Sequence, residues 1–306
     1  MDPDLRQSDG WAEYLESQGW LVEKLGNTKV FVRKIPPFGA VAKIQRPAEI
    51  PTVAEIDRIA RKHHVLFVKI EPLSTVNNHQ IARFVEAEPS YELLTNHGFV
   101  RDSSPNLATK TVIIDLTKSE DELWRDLSQD ARQSVRKAQS NHLQAVGFKL
   151  GEPGFDKALV EFHQLLKETG RRGKFWTPSF DQLRKKAEIF GPDAALFLAY
   201  SKSHTPLAGT FVLLDDGTHS ASSQEGQDLY ASYFLLWETI KGLKAQKVTR
   251  LDLAGIYDPR FYRATQSWQG FTAFKRKFGG KEVEYPRPLI KYYHSLVKFI
   301  FGITGS

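Results

Sequence analysis

One lysine in this chain sits where its charge could do electrostatic work. Lys275 directly follows Phe274, Phe271 and Phe278 flank the pair, and Gly279-Gly280 turns the chain immediately afterwards. A lysine among aromatic rings is partly desolvated, so its charge acts strongly at short range. The same spacing also suits a lysine whose stem lies over an aromatic cluster while its head stays in water. Some twenty residues earlier, the run Leu251–Leu253 passes into Ala254-Gly255-Ile256-Tyr257. Small residues at the end of a buried strand let a substrate approach the backbone, which makes Gly255, Ile256 and Tyr257 candidate substrate contacts.

Two basic groups could hold phosphate. Arg132 and Arg136 stand at i,i+4 spacing on one face of an expected helix, with Lys137 beside them. The loop Gly170-Arg171-Arg172-Gly173-Lys174 pairs cations with glycines that permit close backbone approach. A solvated basic surface explains either group equally well.

Missing motifs narrow the chemistry. The chain has no G-x-S-x-G elbow, no GxxxxGK[ST] phosphate loop, no G-x-G-x-x-G and no H-E-x-x-H. It has no cysteine, so disulfides, thiolate metal sites and cysteine nucleophiles are all excluded. His63-His64 is the only adjacent histidine pair, and neighbours on a helix point in different directions, which disfavours a metal site. No metal and no cofactor are expected. A coenzyme-A enzyme would carry [QR]-x-x-G-x-[GA] after its fourth strand. The segment Ser223–Tyr233 lacks that pattern.

These groups need elements to position them, and 306 residues suffice for two domains. The composition is that of a soluble globular protein, 41% hydrophobic and 25% charged, with 20 Phe, 10 Tyr and 6 Trp to fill the cores. With 42 Lys+Arg against 36 Asp+Glu the net charge is +6, which suits a polyanionic partner or simply a solubilising surface. The acidic N-terminus has no apolar core of a secretory signal, so a cytoplasmic protein is expected. The apolar tail Leu289–Ile303 reads either as a packed terminal helix or as a helix touching the inner membrane surface.

In the first hundred residues the patterns predict helices at Ser8–Gln18, Thr52–His63 and Glu92–His97, with strands at Lys29–Lys34, Gly39–Ile44 and Val65–Ile70. The polar stretch Ser103–Lys110 marks a domain boundary. After it come a strand at Thr111–Leu116 and two overlapping capping boxes, Thr117 with Glu120 and Ser119 with Glu122, opening a helix that reaches about Ser140. Helices Phe155–Thr169 and Ser179–Phe190 follow. Three strands (Ala195–Tyr200, Leu207–Leu214, Thr218–Ser223), a helix Leu229–Gln246 and a strand Val248–Leu253 complete the order of a GNAT-type acyltransferase half. The expected domains are 1–108 with 288–306, and 109–287.

Several blocks, in the right order, resemble the FemABX peptidoglycan aminoacyltransferases. They are LRQSDGWAEYLESQGW near the start, TVIIDLTKSEDELWRDLSQDARQSVRKAQ in the middle, and LDLAGI with FTAFKRKFGGKEVEYP near the end. The resemblance implies an α/β fold of mixed sheets in two tandem GNAT-like domains, of the compact FemX-like kind without a long helical hairpin. It implies aminoacyl-tRNA as donor and, as acceptor, an amine of a lipid-linked or UDP-linked muropeptide. A monomer is the expected state. The family's functional Phe-Lys pair falls on Phe274 and Lys275, as catalytic residues. Some positions depart: an acceptor-binding lysine appears as Glu13, an Arg-x-x-x-Tyr pair is replaced by Lys174–Phe180, and a tyrosine expected near Ser220 is absent. Tyr230 and Tyr233 lie close by as candidate substitutes. Arg132, Arg136, Lys137, Arg171 and Arg172 are the candidates for tRNA phosphates. Rival readings of the same fold are an acyl-CoA N-acyltransferase, a silent tRNA- or precursor-binding homologue, and an aminoacyl-tRNA:lipid transferase.

Overall fold

The computed structural model describes residues 4–73, 89–214, 217–295, 297 and 299. In chain order its elements are α1 (Asp9–Ser17), β1 (Leu21–Leu25), β2 (Thr28–Ile35), β3 (Gly39–Gln45), α2 (Val53–Lys62), β4 (Val65–Glu71), α3 (Pro89–Asn96), β5 (Val100–Arg101) and β6 (Lys110–Asp115). Then follow α4 (Glu120–Asp126), α5 (Gln129–Ser140), β7 (Gln144–Phe148), α6 (Phe155–Gly173), α7 (Phe180–Phe190), β8 (Ala194–Tyr200), β9 (Pro206–Leu213) and β10 (Gly217–Ser222). The last are α8 (Gln224–Asp228), α9 (Ala231–Ala245), β11 (Arg250–Gly255), α10 (Tyr262–Thr265), α11 (Gln269–Arg276), β12 (Lys281–Glu284) and β13 (Leu289–Tyr292). The chain divides into two compact units, Met1–Thr111 with Gly255–Gln269 and Val283–Ser306, and Val112–Ala254 with Gly270–Glu282. The segment 255–269, which the sequence patterns assign to the second domain, thus belongs to the first unit.

The first unit is built on a six-stranded mixed sheet in the order β1-β2-β3-β4-β13-β5. Its core face carries Val30, Val32, Ala42, Ile44, Val68 and Ile70, which pack with Ile56 and Ile59 of α2 and Leu94 of α3. Strong local signals start these helices. Ser8 caps α1 through Trp11 N, and Thr52 and Glu55 close a capping box on α2. The expected terminal helix does not begin at Leu289: Leu289–Tyr292 instead inserts antiparallel between β4 and β5, burying Leu289 and Ile290. An open slot between two strands satisfies both edges of that segment, which a local helical pattern cannot announce. The rest of the tail expectation lies largely outside the described residues.

The expected boundary 103–110 is tied down rather than free. Buried Glu71 accepts the backbone N–H of Asn106 (2.8 Å) and Leu107 (2.6 Å). Buried Arg46 donates to the carbonyls of Pro72 (2.9 Å) and Ala108 (2.7 Å), and its guanidinium lies 3.3 Å from the Tyr285 ring centre.

In the second unit β10, β9, β8 and β7 form an antiparallel sheet in that order, and β11, β6 and β12 form a second, three-stranded one in that order. Phe162 of α6 stacks near Phe211 of β9, and α9 buries Leu235, Trp237, Ile240 and Leu243. Between α7 and β8 a single turn, Gly191–Asp193, suffices, so no helical hairpin is inserted there. Three expectations are corrected. The helix expected from Thr117 or Ser119 to Ser140 is two helices, since Leu127 is extended and Ser128 caps α5 by accepting Ala131 N. Only the Ser119–Glu122 box caps α4, because Thr117 bonds to Asp115 instead. The basic stretch after Thr169 continues α6 to Gly173 rather than forming a loop. The strands β1 and β7 carry too little apolar alternation to be foreseen. Asp215-Asp216 of the expected β9–β10 turn lie outside the described residues.

Candidate active site

The second unit contains a cavity of about 570 Å3 whose walls include Phe274, Tyr230, Tyr233, Arg172, Thr210 and Ser220. Its aromatic wall starts on α11. Phe274 meets Tyr233 of α9 edge-on at 4.8 Å, and Phe278 stacks on Tyr233 at 5.9 Å and tilts against Phe274 at 5.2 Å. The Tyr233 hydroxyl receives Lys277 Nζ at 3.5 Å, and Lys277 also reaches Asp130 at 3.4 Å. That ion pair is largely in solvent and contributes little to stability.

Tyr230 reaches the cavity through an unusual backbone. The expected helix Leu229–Gln246 starts two residues later, as α9 at Ala231, behind the short α8 that ends at Asp228, and Tyr230 between them has φ 59° and ψ 25°. A left-handed conformation is unfavourable for a tyrosine by about 1–2 kcal/mol. Such strain persists only where surrounding structure imposes it, commonly at functional sites. Here the turn puts the Tyr230 ring into the cavity wall, where Lys137 Nζ lies 5.2 Å from its centre.

Lys275 shares α11 with Phe274 but lies apart from the cavity lining. It is half-buried, and its ammonium stands 4.9 Å from the Phe271 ring centre. Burial pushes its pKa down from 10.5 to about 8, while the Asp252 carboxylate of β11 opposes the shift. Leu251 and Leu253 are buried and Asp252 between them faces the other way, as strand alternation requires. The Gly279-Gly280 turn that ends this region is obligatory. Both residues have positive φ, and side chains there would press within 2.9 Å of Asp126 and 2.7 Å of the Ile113 carbonyl.

The other predicted residues separate into distinct roles. Arg172 donates to the Ser222 carbonyl at 2.8 Å while lining the cavity. Arg136 lies 5.6 Å from the Trp124 ring. Arg132 donates to the carbonyls of Arg125 (3.1 Å) and Leu127, so its guanidinium closes the C-terminal end of α4. Arg132 thus has an architectural role through Nη1. Arg171 is exposed on the last turn of α6.

Gly255, Ile256 and Tyr257 fall in the first unit. Gly255 is small because the Trp268 ring occupies the space, 2.6 Å from where a side chain would begin. Ile256 is fully buried and its N–H bonds to Lys110 O at 2.9 Å, so it serves the interior instead of a substrate. Tyr257 is half-buried. The segment is anchored next door by Asp258, fully buried, which accepts Arg260 Nη2 at 2.7 Å and Thr109 Oγ1 at 2.6 Å. Burial alone would raise that carboxyl, but the hydrogen bonds from Arg260 and Thr109 prevail and hold it below the usual carboxylate range.

Sequence reasoning missed the hydroxyl pair Thr210–Ser220, 3.2 Å apart in the cavity wall, and Asp252 as the counter-charge of Lys275. The cross-strand register Ser220↔Thr210 could have suggested the pair once β9 and β10 were known to be neighbours.

In the turn from β10 into α8, two backbone N–H groups are already bonded within the protein. Ser223 N bonds Leu207 O at 2.9 Å, Gly226 N bonds Ser223 Oγ at 3.0 Å, and Glu225 adds a negative charge. A side chain on Gly226 would meet the Leu207 carbonyl at 2.1 Å, so this glycine admits the neighbouring strand.

The model of the FemAB family matches residues 39–205. No curated protein sequence matches the chain. Among solved structures, the chain is similar to a crystal structure of FemX, with TM-score 0.74 and 16% identity over 97% of this chain and 94% of that one. It is also similar to the C-terminal domain of a putative lysylphosphatidylglycerol synthetase from Agrobacterium fabrum, with TM-score 0.62, 13% identity and coverage of 98% and 92%. A third similar structure is L-PGS from Bacillus licheniformis, with TM-score 0.60, 10% identity and coverage of 100% and 97%. At these identities the structural likenesses speak for a shared fold.

Proposed function

The chain belongs to the FemAB family, and from that premise we propose that it transfers an amino acid from an aminoacyl-tRNA to an amine of a peptidoglycan precursor. The observation that carries the proposal is the placement of Phe274 and Lys275 on one short helix. Phe274 walls an aromatic cavity, and the adjacent lysine is partly desolvated with a pKa near 8.

An aminoacyl ester is already activated, so a neutral amine can attack it without a covalent enzyme intermediate. The amine nitrogen bonds to the ester carbonyl carbon, whose oxygen becomes an oxyanion. The carbon–oxygen bond to the ribose then breaks, and the proton lost by the amine ends on the released ribose hydroxyl. The protein must hold the reactants in line and offset the oxyanion charge. The Lys275 ammonium, 4.9 Å from the ring centre of Phe271 in the cavity wall, supplies that charge, and Phe274 with Tyr230 and Tyr233 excludes water around the reacting ester. The absence of the [QR]-x-x-G-x-[GA] pattern from Ser223–Tyr233 favours a tRNA donor over acyl-CoA, whose pyrophosphate would be held by such a turn.

The test is transfer of labelled amino acids from a mixed charged-tRNA pool to lipid-linked or UDP-linked muropeptides, with acyl-CoA and phosphatidylglycerol as competing donor and acceptor arms. Lys275→Ala is expected to lower the rate about a hundred- to a thousandfold, the usual effect of losing one oxyanion-stabilising group. Near-full transfer by a folded Lys275→Ala protein would refute the role, and turnover with acyl-CoA alone would refute the donor.

A further inference from the structure

Where α6 ends, two aromatic rings stand in solvent: Phe175 is 51% exposed and Trp176 75%. Adjacent exposed rings form an apolar patch, the kind of surface that marks an interaction site when polar groups rim it. Phe175 lines an open depression of about 450 Å3 with Lys167, Arg171 and Lys174, a lining of three cations and no acid.

The presentation is built rather than loose. Lys174 takes a left-handed backbone (φ 53°) as the C-cap of α6, and Phe175 N–H returns to Gly170 O at 3.1 Å. A side chain on Gly173 would begin 2.5 Å from the Phe175 ring, and one on Gly170 would begin 2.6 Å from Thr177. Both glycines therefore make room for the chain to fold back over the helix end. One residue away, Arg172 lines the aromatic cavity and donates to Ser222 O. The depression and the cavity thus share the last turn of α6.

Flat aromatic faces ringed by cations match one chemistry closely, unpaired nucleobases joined by phosphates. We propose that Phe175 and Trp176 form a stacking platform for the single-stranded 3′ end of the donor RNA, with Lys167, Arg171 and Lys174 on its phosphates. This rests on the tRNA-dependent reading above and extends it to the residues that bring the charged end to the cavity. Stacking tolerates any base, so the platform serves the common end of a tRNA without reading its identity.

The experiment is fluorescence anisotropy of the full chain with a labelled RNA stem-loop carrying a short single-stranded 3′ extension, against the same stem-loop made blunt, over a range of salt. Trp176→Ala is expected to weaken binding of the extended RNA about five- to 150-fold without changing the salt slope. Blunt RNA should bind equally to both proteins, and Trp176→Phe should retain most of the affinity. Arg171→Ala should lower the salt slope by about one. Unchanged binding of the extended RNA by Trp176→Ala, with transfer from charged tRNA intact in the wild type, overturns the platform and leaves the function standing. Selective loss of binding to phosphatidylglycerol vesicles, with RNA binding unaffected, overturns it in favour of a lipid surface. A wild type that neither binds the RNA nor uses charged tRNA removes the functional reading itself.

Discussion

Replacing Lys275 by methionine should stabilise the fold at pH 7 while ending transfer. The side chains are similar in length, and only the lysine brings a charge into a half-buried site. Its pKa falls from 10.5 to about 8 in the folded chain. That difference corresponds to about 3 kcal/mol of preference for the neutral form, and water at the half-buried site reduces the realised figure to about 1–3 kcal/mol. The sign follows from proton counts. Between pH 8 and 10.5 the unfolded chain holds the proton and the folded chain does not, so raising pH stabilises the fold through this group. Below pH 8 both states are protonated and the full destabilisation is present. Urea unfolding of wild type and Lys275→Met should therefore give a variant more stable by about 1–3 kcal/mol at pH 7, with the gap closing as pH approaches 10. Taking the difference cancels titrations common to both proteins. A variant less stable than wild type at pH 7 would refute the reasoning, because it would mean that the Asp252 and Phe271 contacts outweigh the burial of charge.

The same pKa predicts the rate profile. If the ammonium form offsets the oxyanion, kcat/KM should decline as pH rises through about 8, and Lys275→Arg, charged throughout, should lose that descending limb while keeping part of the activity. Ser128→Ala removes the cap that divides α4 from α5 and should lower stability by about 1 kcal/mol in urea unfolding, with KM for tRNA changed little. Tyr230→Asn substitutes a residue that tolerates the left-handed backbone, so melting should change little while transfer drops, since the ring that walls the cavity is gone. A large fall in melting temperature would instead make Tyr230 a packing residue.

Local chemistry was enough to place many elements and to single out the Phe274-Lys275 pair as a candidate. The Ser8 and Ser119–Glu122 caps, the apolar runs of β8 and β9, and Phe274-Lys275 before Gly279-Gly280 all act within a few residues of one another. Such signals are written in neighbouring positions, so the sequence alone carries them. Long-range partners decided the rest. A slot between β4 and β5 turned Leu289–Tyr292 into a strand, and the Trp268 ring claimed the space beside Gly255. Tertiary packing likewise set Asp252 near Lys275, which lowers the burial penalty on its charge. In each case the deciding contact lies far along the chain, where no spacing of residues can reveal it before the fold closes.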